Sequence, residues 1–194
     1  QAETGVAAIT VFDNSDQFYQ IAVDWDEYNA VNGEARLAVG NIDNDPGDEM
    51  IVGLGPAQGY EGIPGGRFQI IDDDFTTIGW GQVDWSDYNS VNGETWPACG
   101  DVDGDGRDEI LIGLGVGGNG VTEVFDFDNG QARHKAWVTL DWEEYCMAGG
   151  GVKPAAGNLG GGRAAEIVLG LYPVGDVLIP EGKFEVLSLR GGHL

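Results

Sequence analysis

The chain has 194 residues, and its 33 Asp plus Glu against 9 Lys plus Arg give a formal net charge of −24. A surface this acidic repels phosphate backbones and anionic lipid, so nucleic-acid binding and attachment to a membrane surface are not expected. With 42% hydrophobic residues and six Trp there is ample apolar area for a core, which excludes a disordered acidic tail.

The 34 glycines show no collagen-like period and read as many tight turns. No apolar run approaches the roughly 20 residues that span a bilayer, so no membrane insertion is expected. The chain begins at Gln1 with no basic-then-apolar leader, which reads as a mature secreted product or a cut piece. Cys99 and Cys146 either pair or stay as thiols, a choice that spacing alone leaves open.

Short alternating or apolar segments bounded by Gly, Asn and Asp follow one another along the whole chain, and none carries a sustained helical period. Two strands come first, over residues 8–12 and 19–25. Then a fourfold pattern, here called a to d, begins. Strand a covers 37–40, 97–100 and 154–157, and strand b covers 50–54, 110–114 and 167–171. Strand c covers 68–72, 121–127 and 183–189, and strand d covers 77–85 and 134–142. The expected fold is all-β, with three repeats of four short antiparallel strands in the manner of propeller blades, incomplete at both ends. The repeats divide the chain into a partial unit (1–25) and units of 26–85, 86–142 and 143–194.

The repeat is carried by a motif. An Asp-Trp pair recurs at Asp24-Trp25, Asp84-Trp85 and Asp141-Trp142, with Tyr28, Tyr88 and Tyr145 three residues after each Trp. In every copy the Asp lies 17 residues before the first position of an acidic or degenerate loop (Asn41, Asp101, Asn158). A feature common to all units points to packing between blades. The tryptophans outside the pattern are different: Trp96 aligns with Arg36 and Lys153, and Trp80 and Trp137 align with Gln20. They are candidates for stacking on a sugar ring, with core filling as the alternative.

The loop between strands a and b holds the chemistry. In the second copy Asp101, Asp103 and Asp105 alternate around Gly104 and Gly106. Alternate carboxylates in a tight turn converge on one point and suit a hard cation that takes oxygen ligands. The expected set is Asp101, Asp103, Asp105, the carbonyl of Arg107 and Glu109, with Asp108 as an alternative to Glu109. The first loop offers Asn41, Asp43, Asp45, the Gly47 carbonyl and Glu49, with Pro46 in place of a glycine. In the third loop Gly160 and Gly162 replace the middle carboxylates, and no metal is expected there.

The run Asp-Val-Asp-Gly-Asp-Gly-Arg-Asp-Glu-Ile-Leu-Ile-Gly, residues 101–113, resembles the calcium loop and following strand of FG-GAP/VCBS repeats, the blades of integrin α-subunit propellers. The resemblance implies Ca2+ in the first two loops and an extracellular, adhesive or glycan-binding role. It does not supply an enzyme: there is no Gly-x-Ser-x-Gly or phosphate loop, and His134 and His193 stand apart from other catalytic residue types. The resulting expectation is a secreted, non-enzymatic calcium-binding repeat protein, structural or adhesive, that assembles through its open edge strands into a ring or fibre. A lectin-like module is the alternative, and an extracellular glycan or protein is a further possible partner.

Overall fold

The computed structural model describes residues 8–12, 18–43, 45–57, 59–91, 93–172, 174–175 and 182–189. Among the described residues thirteen strands form four antiparallel sheets. The first is the hairpin β1 (Ala8–Phe12) and β2 (Phe18–Ala22). The second runs β3 (Ala35–Gly40), β4 (Glu49–Leu54), β5 (Arg67–Ile71), β6 (Thr77–Gln82) in spatial as well as chain order. The third repeats it as β7 (Thr95–Gly100), β8 (Glu109–Leu114), β9 (Val121–Asp128), β10 (Gln131–Thr139). The fourth has β11 (Val152–Gly157), β12 (Glu166–Leu171) and β13 (Phe184–Leu187).

The sheets follow one another face to face, with β3, β7 and β11 side by side and β6 beside β10. This is the blade arrangement of a propeller. Its core is three inter-sheet layers. Ile9, Val23, Met50, Val52 and Leu54 fill the first, Ile51, Phe68, Ile70, Ile110 and Ile112 the second, and Leu111, Val124, Ile167 and Leu169 the third. Strands β4 and β8 are buried along their whole length because each is covered on both faces, which is why their sequences read as continuous apolar runs.

Three short helices were not anticipated: α1 (Asp26–Val31), α2 (Ser86–Val91) and α3 (Glu143–Met147). Five or six residues are too few to show a helical period. Each follows an Asp-Trp pair, so the d strands end earlier than expected. The Asp backbone N–H of each pair leaves its own sheet and donates to the next sheet's strand c: Asp24 to Gln69, Asp84 to Glu123 and Asp141 to Glu185.

The helices position the repeated tyrosines. Tyr28, Tyr88 and Tyr145 are buried, and each packs against its Trp at 5.8, 5.9 and 5.4 Å between centroids. The Tyr88 hydroxyl donates to the Glu94 carbonyl and accepts from Gly115 N–H, and Tyr28 does the same with Glu34 and Gly55. A buried phenol satisfied in both directions ties the helix to the first two strands of the sheet that follows.

Candidate metal centre

Glu49 and Glu109 open strands β4 and β8, and their side chains turn back over the loops that precede them. Glu49 Oε2 accepts from Ile42 N–H at 2.9 Å, Glu109 Oε2 from Val102 N–H at 2.8 Å, and Glu166 Oε2 from Leu159 N–H at 2.8 Å. The same acid therefore caps the same turn in all three repeats, whatever else the loop carries.

In the first loop one carboxylate oxygen each from Asp43, Asp45 and Glu49 lies within 4.8 Å of the others. In the second, Asp101, Asp103 and Glu109 gather in the same way. Asp105 does not join them; it accepts from Arg107 N–H and pairs with the Arg107 guanidinium at 3.6 Å. The Asp101 carboxylate accepts from Gly104 and Gly106 N–H, both glycines having the positive φ that a side chain rarely adopts. In the first loop Asn41 Nδ2 donates to the carbonyls of Asp45 and Gly47, bringing the Gly47 oxygen to the inside of the turn. In the third loop Asn158 Nδ2 donates to the Gly162 carbonyl, and Gly160 and Gly162 offer no side-chain oxygen.

Asp108 does not stand in for Glu109. Its Oδ2 accepts from Asn41 N–H at 3.2 Å, and its own N–H donates to the Asn41 carbonyl at 2.8 Å, so it staples the second loop to the first. Ala165 N–H makes the equivalent bond to the Asp101 carbonyl at 2.7 Å.

Two acids that the loop pattern omits come from the ends of the c strands. Asp72 follows β5 and forms a second cluster with Asp45 and Asp73, and Asp126 stands at the matching place in β9. The signal was present in the sequence as an Asp closing strand c in the first two units, with Ser188 in the third.

The second acidic loop has a partner from strand β10 that the first does not share. Lys135 sits at a bulge in β10, between His134 and Ala136, and its ammonium reaches Asp103 at 2.6 Å, Asp126 at 2.7 Å and Glu109 at 2.9 Å. Partial burial works against its charge, yet the three carboxylates hold its pKa above the usual lysine value. Burial raises Glu109 even against the pull of Lys135. At the matching bulge between β5 and β6 the skipped residue is Ile78, which packs into the core. Among the described residues no ammonium serves the first loop. Glu49 is fully buried with Oε1 unpartnered, and burial, opposed by the Ile42 amide and joined by Asp43, Asp45 and Asp72, pushes its pKa to about 7.

The off-pattern tryptophans have separate surroundings. Trp96 packs against the Arg36 guanidinium at 3.6 Å and the Lys153 ammonium at 3.9 Å, a cation–π ladder between the first strands of three sheets. Trp80 lines a surface pocket of about 360 Å3 with Asp24, Trp25, Arg67 and Gln82. Trp137 is part-exposed beside His134. His134 is not isolated, since its Nδ1 lies 2.7 Å from the buried Glu123; His193 lies outside the described residues. Cys99 and Cys146 are free thiols, both raised in pKa by burial.

No family model matches the sequence, and no curated protein matches it. Among solved structures, the chain is similar to the crystal structure of the exotype rhamnogalacturonan lyase YesX, at 13% identity and a TM-score of 0.55, over 84% of this chain and 32% of that one. A second similarity, to the structure of the Dos1 propeller, has 10% identity and a TM-score of 0.43, over 87% of this chain and 44% of that one. The chain thus spans about a third and under half of their lengths, and at this identity the likeness to the lyase is one of fold.

Proposed function

We propose that the chain is a calcium-binding, propeller-type repeat protein with a structural or adhesive role outside the cell, joined to further copies through its open edge strands. The observation that carries the calcium reading is Glu49 Oε1, buried and unpartnered among Asp43, Asp45 and Asp72. A buried acceptor in that state costs on the order of 1–3 kcal/mol until a cation or proton meets it. The donor set is all oxygen, with carboxylates and the inward Gly47 carbonyl, which favours a hard divalent ion over a transition metal. We assign the ion to the first loop. In the second, Lys135 already pairs with three of the acids, and a divalent ion enters only by displacing it. Calcium supplies charge here, and the chain's residues hold the a-to-b turn closed around it.

The role is non-catalytic in this reading. His134 is spent on Glu123, whose other oxygen accepts from Asp84 N–H. Calorimetric titration should give one calcium per chain and a melting temperature raised by several degrees, with both effects lost in Glu49→Gln. Equal melts in excess chelator and excess calcium would refute the reading. A glycan-binding role is favoured by the pocket at Trp80, where two indoles meet edge to face at 6.3 Å beside Asp24 and Gln82. Sugar binding on a glycan array that Trp80→Ala abolishes and Glu49→Gln spares would establish that role instead.

A further inference from the structure

One fit joins each four-stranded sheet to the sheet after it. Gly40 and Gly53 on the second sheet receive Cys99 and Pro97 of the third, so closely that a Cβ at either glycine would collide. Gly100 and Gly113 receive Ala156 and Pro154 of the fourth in the same way. The register confirms the equivalence: Leu37, Pro97 and Pro154 pair with Val52, Ile112 and Leu169, while Val39, Cys99 and Ala156 pair with Met50, Ile110 and Ile167.

Both halves of this fit stand unfilled, one on the outer face of the fourth sheet and one on β3 of the second. On the fourth sheet Gly157 and Gly170 hold the glycine places, and among the described residues a Cβ would meet nothing within 4 Å at Gly157 and the Lys153 carbonyl alone, at 3.4 Å, at Gly170. The row beside them is Ala155, Val168 and Val186, whose counterparts Ala98, Leu111 and Val124 are buried. Here Ala155 is exposed, Val168 half-buried and Val186 45% exposed. At the other end Leu37 and Val39 hold the places of Pro97 and Cys99, yet are 49% and 58% exposed. The β1–β2 hairpin covers β4 and leaves β3 bare, because it occupies the outer half of the preceding blade position.

From this juxtaposition we infer that a second copy of this chain seats β3 on the β11–β12 face, with Leu37 against Gly170 and Val39 against Gly157, and that copies add head to tail. The inference rests on the assembly reading above and names its surface. The strand count defines the joint further. β1 stands to β2 as β5 stands to β6, so β1 of the incoming copy and β13 claim the same place beside β12. β13 is four residues long with Phe184 66% exposed, and it is the strand that yields. The completed blade is β11, β12, then β1 and β2 of the next copy. Matching apolar rows and glycine slots give the seat its specificity, while the −24 charge opposes it, so association strengthens with salt and calcium.

Sedimentation and light scattering of the full chain in calcium test this with two variants. Gly157→Leu fills one face, where its own fold has room, and Val39→Asp charges the other; Leu37→Asp serves should Val39→Asp melt early. The wild type is expected above its single-chain mass of 20.5 kDa and rising with concentration, each variant alone at the single-chain mass with an unchanged melt, and their equimolar mixture at dimers and nothing longer. Variants that assemble like the wild type overturn the face seat while leaving assembly by edge strands intact. A mixture that stays monomeric overturns the head-to-tail order. A wild type monomeric at all concentrations overturns this inference and the assembly reading together, and the calcium titration of Glu49→Gln judges the metal reading separately.

Discussion

Replacing Lys135 with isoleucine, the residue that the matching bulge carries at position 78, should convert the second loop into a copy of the first. The ammonium makes three charge-assisted bonds of 2.6 to 2.9 Å. Asp103 and Asp126 are partly exposed and rehydrate when it leaves, so each of those pairs contributes under about 1 kcal/mol. Glu109 is buried and keeps only the Val102 and Asp103 amides on its other oxygen, so losing its partner costs about 1–3 kcal/mol. The sum is on the order of 2–4 kcal/mol in calcium-free buffer, close to what removing one partner of a buried pair costs. Denaturant melts with and without calcium read the stability, and calorimetry reads the stoichiometry. The variant should be weakened without calcium, largely restored with it, and bind two ions per chain where the wild type binds one. A variant that loses no stability in chelator, or that still binds a single ion, refutes the reasoning that Lys135 is the resident cation of the second loop.

Stability should also respond to pH through Glu49. Its pKa of about 7 in the folded chain lies above its ordinary 4.5, so between those values the folded state holds more protons than the unfolded. Calcium-free stability is therefore present in full below about pH 4.5 and falls as pH rises through 7, by on the order of 1–3 kcal/mol. Saturating calcium reverses the trend, because the ion binds the carboxylate, and Glu49→Gln flattens it; melting curves from pH 5 to 8 check both. Gly113→Val drives a branched side chain into Pro154 and the Val152 carbonyl, and should cost more than about 2 kcal/mol, whereas Gly170→Val, facing open space apart from one carbonyl, should cost well under half as much. Equal losses in denaturant melts would contradict the packing account.

The parts of the molecule that were legible in the sequence are those in which side-chain pattern and backbone need agree. Strands β4 and β8 announce themselves because two covered faces demand an unbroken apolar run. The second acidic turn does so because its alternate carboxylates flank Gly104 and Gly106, which take positive φ, a combination with few other uses. The three helices could not be read, since one and a half turns carry no period. Lys135 was hidden for a different reason: a bulge decides which way it points, and nothing local to residues 131–139 marks that bulge. Asp108 misled because it is a carboxylate beside the loop whose partner, Asn41, lies 67 residues away in the preceding sheet. Trp96 broke the repeat for a reason visible only in three dimensions, being held by Arg36 and Lys153 from the strands on either side.

The bonds from Asp108 N–H to the Asn41 carbonyl and from Ala165 N–H to the Asp101 carbonyl make the three turns one continuous belt along a rim of the molecule. Prising open any link strips a bond from its neighbour, so the turns loosen in company and not singly. The third link, poor in charge of its own, borrows its firmness from the second, and the second from the first. A load applied to that rim is shared before any sheet begins to peel.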